Sequence, residues 1–285
     1  MGCMVLELLV GPTFAERRPQ SMFLYGVFFA AIAIILSLWI FPQWASLMIV
    51  FLTTLSCVYL VERTLRMELK SDINLKGEAQ ILRHHTKALL FFIFLFMGFT
   101  VAYSLGYLLL GPAQVQTAFS EQISELTRIN GGITGRVVDS SVLFIILSNN
   151  FKVLFFVTFF AFFYGAGVVF ILAWNASVIA VAIGNFSRRL VAEAAARAGA
   201  TGLTAHFQVF SIGVARYMTH GVLEIMAYFI AALAGGIISF AVINRHINNK
   251  SLAHILMDGA DLIALSAMLL LVAGVVEVYI TPLIF

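Results

Sequence analysis

Long apolar runs alternate with short breaks carrying Pro, Gly or charge along most of this chain. A helix needs about 20 apolar residues to cross about 30 Å of hydrocarbon. On that measure Met22 to Phe41 is a first span, ended by Pro42, which cannot continue the helix. Ala45 to Val61 returns as a second span. The two form a hairpin with Trp39 and Trp44 near its tip, where Trp favours the membrane interface. Before the hairpin, Val5 to Glu16 mixes apolar and polar residues and predicts an interfacial helix. Glu62 to Lys87 is a charged loop. Ala88 to Leu110 is a third span, stopped by Gly111-Pro112. Beyond it Val115, Phe119, Ile123, Leu126 and Ile129 recur at helical spacing, with Glu121, Glu125 and Arg128 on the polar side. This predicts an amphipathic helix on the outer surface.

The second half is more broken. Val142 to Leu147 is apolar but short, and Ser148-Asn149-Asn150 reads as its interruption. Phe151 to Ala173 reads as a fourth span. After Trp174-Asn175 the run "ASVIAVAIGNF" is again short. Asn149 and Asn150 are candidate helix breaks, and the segments 142–150 and 176–186 are candidate re-entrant or interfacial helices. Val222 to Ile243 is a fifth span and Leu262 to Ile280 a sixth, before Pro282. The expected fold is an all-α polytopic transmembrane bundle with about six spans plus short re-entrant or interfacial helices. It forms one transmembrane domain over residues 1–285. Its parts are an interfacial segment 1–21, a hairpin 22–61, a cytoplasmic loop 62–87, span three 88–110, an outer amphipathic helix 111–141 and a motif-bearing half 142–285.

Composition supports this class. Hydrophobic residues make up 61% of 285, charged residues 11%, and mean hydropathy is +1.00. Soluble domains carry about 25% charged residues. The net charge is +3, but in a membrane chain the placement of Lys and Arg matters more than their sum. Most of them fall at the N-terminus, in the 62–87 loop and in the 174–220 region, which predicts both termini in the cytoplasm of a multi-pass cell-membrane protein. No basic run is long enough for nucleic acid. Cys3 and Cys57 suggest no disulfide, and no cofactor is implied.

That topology brings polar residues to one depth. His220 and Glu224 open span five near the inner interface, Asn175 ends span four there, and Glu277 lies near the end of span six. Ionisable groups at membrane depth are costly and face protein or water. In span five Ala227, Ala231, Gly235 and Ser239 repeat every four residues, a ridge that lets another helix approach closely. Ala161 and Gly165 are a matching small pair in span four. Four readings of His220 and Glu224 follow. They are a helix-end carboxylate favoured by the dipole, an ion or proton site with Asn175 and Glu277, a partner surface, or a metal site. Catalytic zinc wants three protein ligands and this layer holds one histidine, so no metal is expected. Gly-x-Ser-x-Gly, His-Glu-x-x-His and Gly-Lys-Ser/Thr are all missing, so no enzymatic activity is expected.

Four stretches together resemble a known family: "VLELLVGPTFAERRP", "SNNFKVLFFVTFFAFFYGAGVVF", "AWNASVIAVAIG" and "THGVLEIMAYFIAALAGGIIS". The chain is similar to the stage II sporulation protein M family of membrane proteins, in its archaeal form. The most specific feature is His220-Gly221-x-x-Glu224, where the family commonly has proline at the position of Thr219. The resemblance implies a scaffold-like role and directs attention to Asn149, Asn150, Asn175, His220, Gly221 and Glu224. It implies no activity.

Two functions are then compatible with the sequence. The first is a non-enzymatic protein that scaffolds or remodels the bilayer, as a homo-oligomer or with other membrane proteins. The alternative is an ion, proton or small-solute transporter or channel using the polar layer. The two differ in one structural respect: transport needs Asn175, Glu224 and Glu277 to converge on a cavity, and a scaffold needs a dry helix contact.

Overall fold

The computed structural model describes residues 19–71, 86–131, 140–163, 167–198, 202–243 and 249–285, and among these no strand occurs. The helices are α1 Ser21–Ile40, α2 Ala45–Ser71, α3 Thr86–Leu109, α4 Pro112–Gly131, α5 Ser140–Phe163, α6 Gly167–Ala198, α7 Leu203–Ile243, α8 Asn249–Val275 and a short α9 Thr281–Ile284. A 3-10 turn, Pro42–Trp44, joins α1 to α2, and a π-helical turn, Val276–Ile280, joins α8 to α9. The interfacial reading of Val5 to Glu16 and the pair member Gly165 lie outside the described residues.

Local chemistry sets the first boundaries. Residues before proline are pushed out of helical geometry, and Phe41 leaves the helix at φ −126°, ψ 51°. Trp39 and Trp44 at this tip are exposed. Pro112 starts α4, where its missing N–H is harmless. In the bundle interior most buried hydroxyls have a defined partner, Ser37 and Ser187 being exceptions. Tyr103 donates to Thr53 Oγ1 at 2.7 Å, and Thr53 donates to its own helix at Ile49 O, 2.8 Å. Such pairing is what lets polar side chains remain at membrane depth. Helices α1 and α3 touch through Gly26 and Gly98, where a Cβ on Gly26 would lie 2.5 Å from Leu95 O. Helices α5 and α7 touch where Gly235 meets Ala161: a Cβ on Gly235 would lie 3.0 Å from the Ala161 Cβ. Phe92 stacks on Phe229, centroids 4.5 Å apart, tying α3 to α7.

Among the described residues seven helices are long and apolar enough to cross a membrane, where the sequence reading has six. The difference lies in the middle of the chain. Ser148-Asn149-Asn150 does not interrupt anything: α5 runs through it from Ser140 to Phe163. Asn175 does not end a span either, because α6 runs from Gly167 to Ala198. The segments 142–150 and 176–186 are therefore parts of two full-length helices and are not re-entrant, and the proposed span Phe151 to Ala173 is divided between them. Helix α7, at 41 residues, is about 60 Å long at 1.5 Å per residue and overshoots the hydrocarbon.

Helix α4 also differs from its expected setting. Its apolar stripe packs into the bundle, with Val115, Ala118 and Phe119 buried. Gln122, fully buried, accepts from Ser46 Oγ at 2.7 Å and donates to Ser46 O at 3.2 Å. A kink at Phe119, φ −131° and ψ 21°, bends the helix there. It is a docked part of the bundle.

Candidate functional site

The polar side chains of four helices meet at one end of the bundle. Asn150 on α5 is buried, and its side-chain amide donates to Glu224 Oε1 on α7. One turn earlier on α7, His220 is buried with its Nδ1 3.3 Å from Thr281 Oγ1. Thr281 has one hydroxyl proton, and it goes to Val276 O at 3.0 Å. Toward His220 the threonine oxygen can then only accept, so Nδ1 carries the ring proton. That leaves Nε2 facing Glu277 Oε1 at 3.9 Å. At this separation the imidazole and the carboxyl face each other without a direct hydrogen bond.

Glu277 reaches this position through the π-helical turn. The backbone N–H of Thr281 bonds to Val276 O, five residues back. Pro282 follows and has no N–H to offer the helix. Single π turns inside α-helices are frequent at functional sites, and this one carries Glu277 and is closed by the same carbonyl that orients Thr281.

These groups border a cavity of about 560 Å³. Asn149, Asn150, Asn175, His220, Glu224 and Glu277 all line it. Asn175 donates to Ile171 O at 2.8 Å, which leaves its carbonyl oxygen free to face the cavity. Gly221 is buried on α7 but outside the cavity lining, and a Cβ there would meet only Met218 Cε at 3.7 Å. Ala227, Ala231 and Gly235 are buried in the contact with neighbouring helices, and Ser239 is half-buried. No group of three His, Cys, Asp or Glu suited to a metal ion occurs among the described residues.

The cavity has further members that the sequence reading did not assign to this layer: Leu126, Asn185, Phe186, Arg189, Arg216 and Tyr217. Asn175, Ala182, Asn185 and Arg189 follow one face of α6 at helical spacing. Reading 176–186 as a separate short segment hid that stripe. Phe186 is approached by two guanidiniums, with Arg216 Cζ 5.1 Å and Arg189 Cζ 5.8 Å from its ring centre. Nearby Arg188 donates to Tyr107 O at 2.7 Å and Leu110 O at 3.2 Å, capping the C-terminal end of α3.

That cap also corrects the depth assignment. The sequence reading put the 115–129 helix and the His220 layer on opposite membrane faces. Arg188 stands level with the end of α3, and Leu126 of α4 shares a cavity with His220 and Glu277. The amphipathic helix and the polar layer belong to the same end of the bundle.

Fold and site together define a multi-pass, all-α membrane protein with a polar cavity among its C-terminal helices. The chain belongs to the Stage II sporulation protein M family, whose sequence model matches residues 87–282. The match takes in the three later stretches that carried the resemblance, and every residue of the cavity, and begins after α1 and α2. Neither the curated proteins nor the solved structures contain a match to the chain.

Proposed function

We propose that this chain is a transport protein that passes a proton, ion or small solute through the cavity at the end of α5, α6 and α7. One observation carries the reading. Asn175, Glu224 and Glu277, from separate elements, line a shared space of about 560 Å³ and do not close on one another as a dry contact. That volume lies in the range of small-molecule pockets. Ionisable side chains within a bilayer mark ion or substrate paths when they face a cavity. The function needs no covalent chemistry from the protein.

Two features weigh against scaffolding as the main role. The ridge of small residues on α7 is used inside the chain, with Gly235 against Ala161 on α5. The apolar stripe of α4 is used inside the chain as well, so it has little left to insert among headgroups.

The test is flux. Purified protein in sealed proteoliposomes should carry protons or a cationic solute above the rate of empty vesicles, and Glu224→Gln should abolish that excess. Wild-type flux indistinguishable from empty vesicles, for protons and for the solutes assayed, would remove the proposal.

A further inference from the structure

The cavity is polarised along its depth. At its outer end stand Arg189 and Arg216, both against the Phe186 ring. Asn185 joins this end as a donor, because its Oδ1 already accepts the Tyr107 hydroxyl at 2.6 Å and its Nδ2 remains. The deeper end is the reverse. Glu224 and Glu277 supply carboxyls, while Asn150 and Asn175 each commit one of their two amide protons, to Glu224 and to Ile171 O, and add their side-chain carbonyl oxygens. Along α7 the two ends are set by Arg216 and Glu224, eight residues and about 12 Å apart at 1.5 Å per residue. Along α6 the same order appears, from Asn185 to Asn175, in the antiparallel direction.

Two acceptors already engage the arginines of the outer end. Arg189 lies 3.8 Å from Glu193, but both side chains are at least half exposed, and such pairs are weak. Arg216 Nη1 reaches the Phe285 carbonyl at 3.4 Å. Neither arrangement occupies the full fork of donors of a guanidinium. Each arginine therefore retains N–H groups for an oxyanion at the mouth.

A bare cation would have no use for the donor end, and a simple anion would be repelled by the acceptor end. From this we infer that the cavity recognises a zwitterion: a carboxylate or phosphate-type oxyanion at Arg189, Arg216 and Asn185, joined by a short chain to an ammonium at Glu224 and Glu277. The inference rests on the transport reading of the same cavity and names its substrate class. The zwitterion is either a free amino-acid-like solute or the headgroup of an aminophospholipid, which share this chemistry.

Binding can be measured apart from flux. Purified protein in detergent is dialysed to equilibrium with γ-aminobutyrate, butyrate or butylamine. γ-Aminobutyrate is expected to bind at least about tenfold more tightly than either monofunctional probe. Arg216→Gln should bring its affinity down to that of butylamine, and Glu277→Gln down to that of butyrate. In nanodiscs, loss of γ-aminobutyrate binding in phosphatidylethanolamine but not in phosphatidylglycerol assigns the site to a headgroup; equal binding in both assigns it to a free solute. Butylamine binding as tightly as γ-aminobutyrate to the wild-type protein would overturn the inference while leaving cation transport intact. Failure of all three probes to bind overturns it as well. γ-Aminobutyrate binding without any flux would instead overturn transport and leave the recognition standing. The wild-type comparison decides the matter even where a variant does not fold.

Discussion

Asn150 and Glu224, 74 positions apart in sequence, are joined by a hydrogen bond from the asparagine amide to the glutamate carboxyl. The bond crosses from α5 to α7 within the membrane-spanning part of both helices. It explains how an asparagine can sit in the middle of a long helix without breaking it. The side chain is satisfied laterally and leaves the backbone ladder alone.

Removing the donor should be more harmful than neutralising the acceptor. Hydrogen bonds to a charged group contribute roughly 1.5–3 kcal/mol. Asn150→Leu is expected to destabilise the protein by about that amount, seen as a lower Tm in detergent. Glu224→Gln keeps an amide-to-carbonyl bond and should shift Tm much less. Equal shifts for the two variants would show that the bond is not what holds this contact.

The glycines divide sharply by environment. A Cβ on Gly98 would lie 3.0 Å from Gly26 Cα, backbone against backbone. Overpacking of this kind costs about 1–3 kcal/mol, so Gly98→Ala should lower Tm. At Gly221 a Cβ meets only a methionine methyl at 3.7 Å. There Gly221→Ala should leave Tm unchanged or raise it, since alanine is favoured over glycine in a helix by about 0.5–1 kcal/mol. A large loss at Gly221 would mean that this glycine faces something other than Met218.

Seven crossings and six crossings make opposite statements about His206. With seven, the start of α7 lies on the same membrane face as Arg128 of α4 and opposite the 62–87 segment. Single-cysteine variants Lys76→Cys, Arg128→Cys and His206→Cys, in a Cys3- and Cys57-free background, can be labelled in sealed vesicles with a membrane-impermeant maleimide. His206→Cys should label with Arg128→Cys. Labelling together with Lys76→Cys would restore the six-span topology.

On α4, Arg128 grips Glu125 through both Nε and Nη2. This hydrogen bonding holds the Glu125 carboxyl below its usual range. A lowered folded-state value means that the pair stabilises the fold above the ordinary carboxylate pKa and loses that contribution as pH falls through the lowered value. The arginine side chain is 63% exposed, so the contribution is that of a helix surface pair, about 0.2–0.5 kcal/mol. Glu125→Gln should remove a shift of this size at neutral pH and none in strong acid, by melting curves at low salt. An undiminished difference in acid would point to a cause other than the ion pair.

The N-terminal half was legible because its punctuation is covalent. Pro42 and Gly111-Pro112 constrain the backbone whatever packs around them, and the structure turns at both. In the second half the polar residues misled. Asn149-Asn150 and Asn175 look like breaks when only their own helix is considered, yet Asn150 is answered by Glu224 and Asn175 by its own helix at Ile171 O. The division between α5 and α6 falls instead inside the run "FFYGAGVVF", where small and aromatic residues gave no polar signal. Splitting α6 at Asn175 separated Asn175 from Arg189, so the outer half of the cavity could not be read. His220, Glu224 and Glu277 could be placed at one level by counting turns. Thr281 could not, because its role depends on the Val276 carbonyl that the π turn brings back to it.

That turn has a further consequence. Five residues, Val276 to Ile280, complete a loop of the helix that α-geometry would close with one fewer. The chain therefore changes angular phase between α8 and α9, like a thread with one skipped pitch. Up to Val275 the side chains keep the phase that packs α8 on α7, and from Thr281 onward a different set faces inward. An in-frame deletion of one residue from this stretch, leaving the composition almost untouched, would restore the regular pitch and rotate Thr281 away from His220 by about one residue's angle, roughly a quarter of a 3.6-residue turn. The length of the segment, and not only the identity of its residues, is thus part of what builds the site.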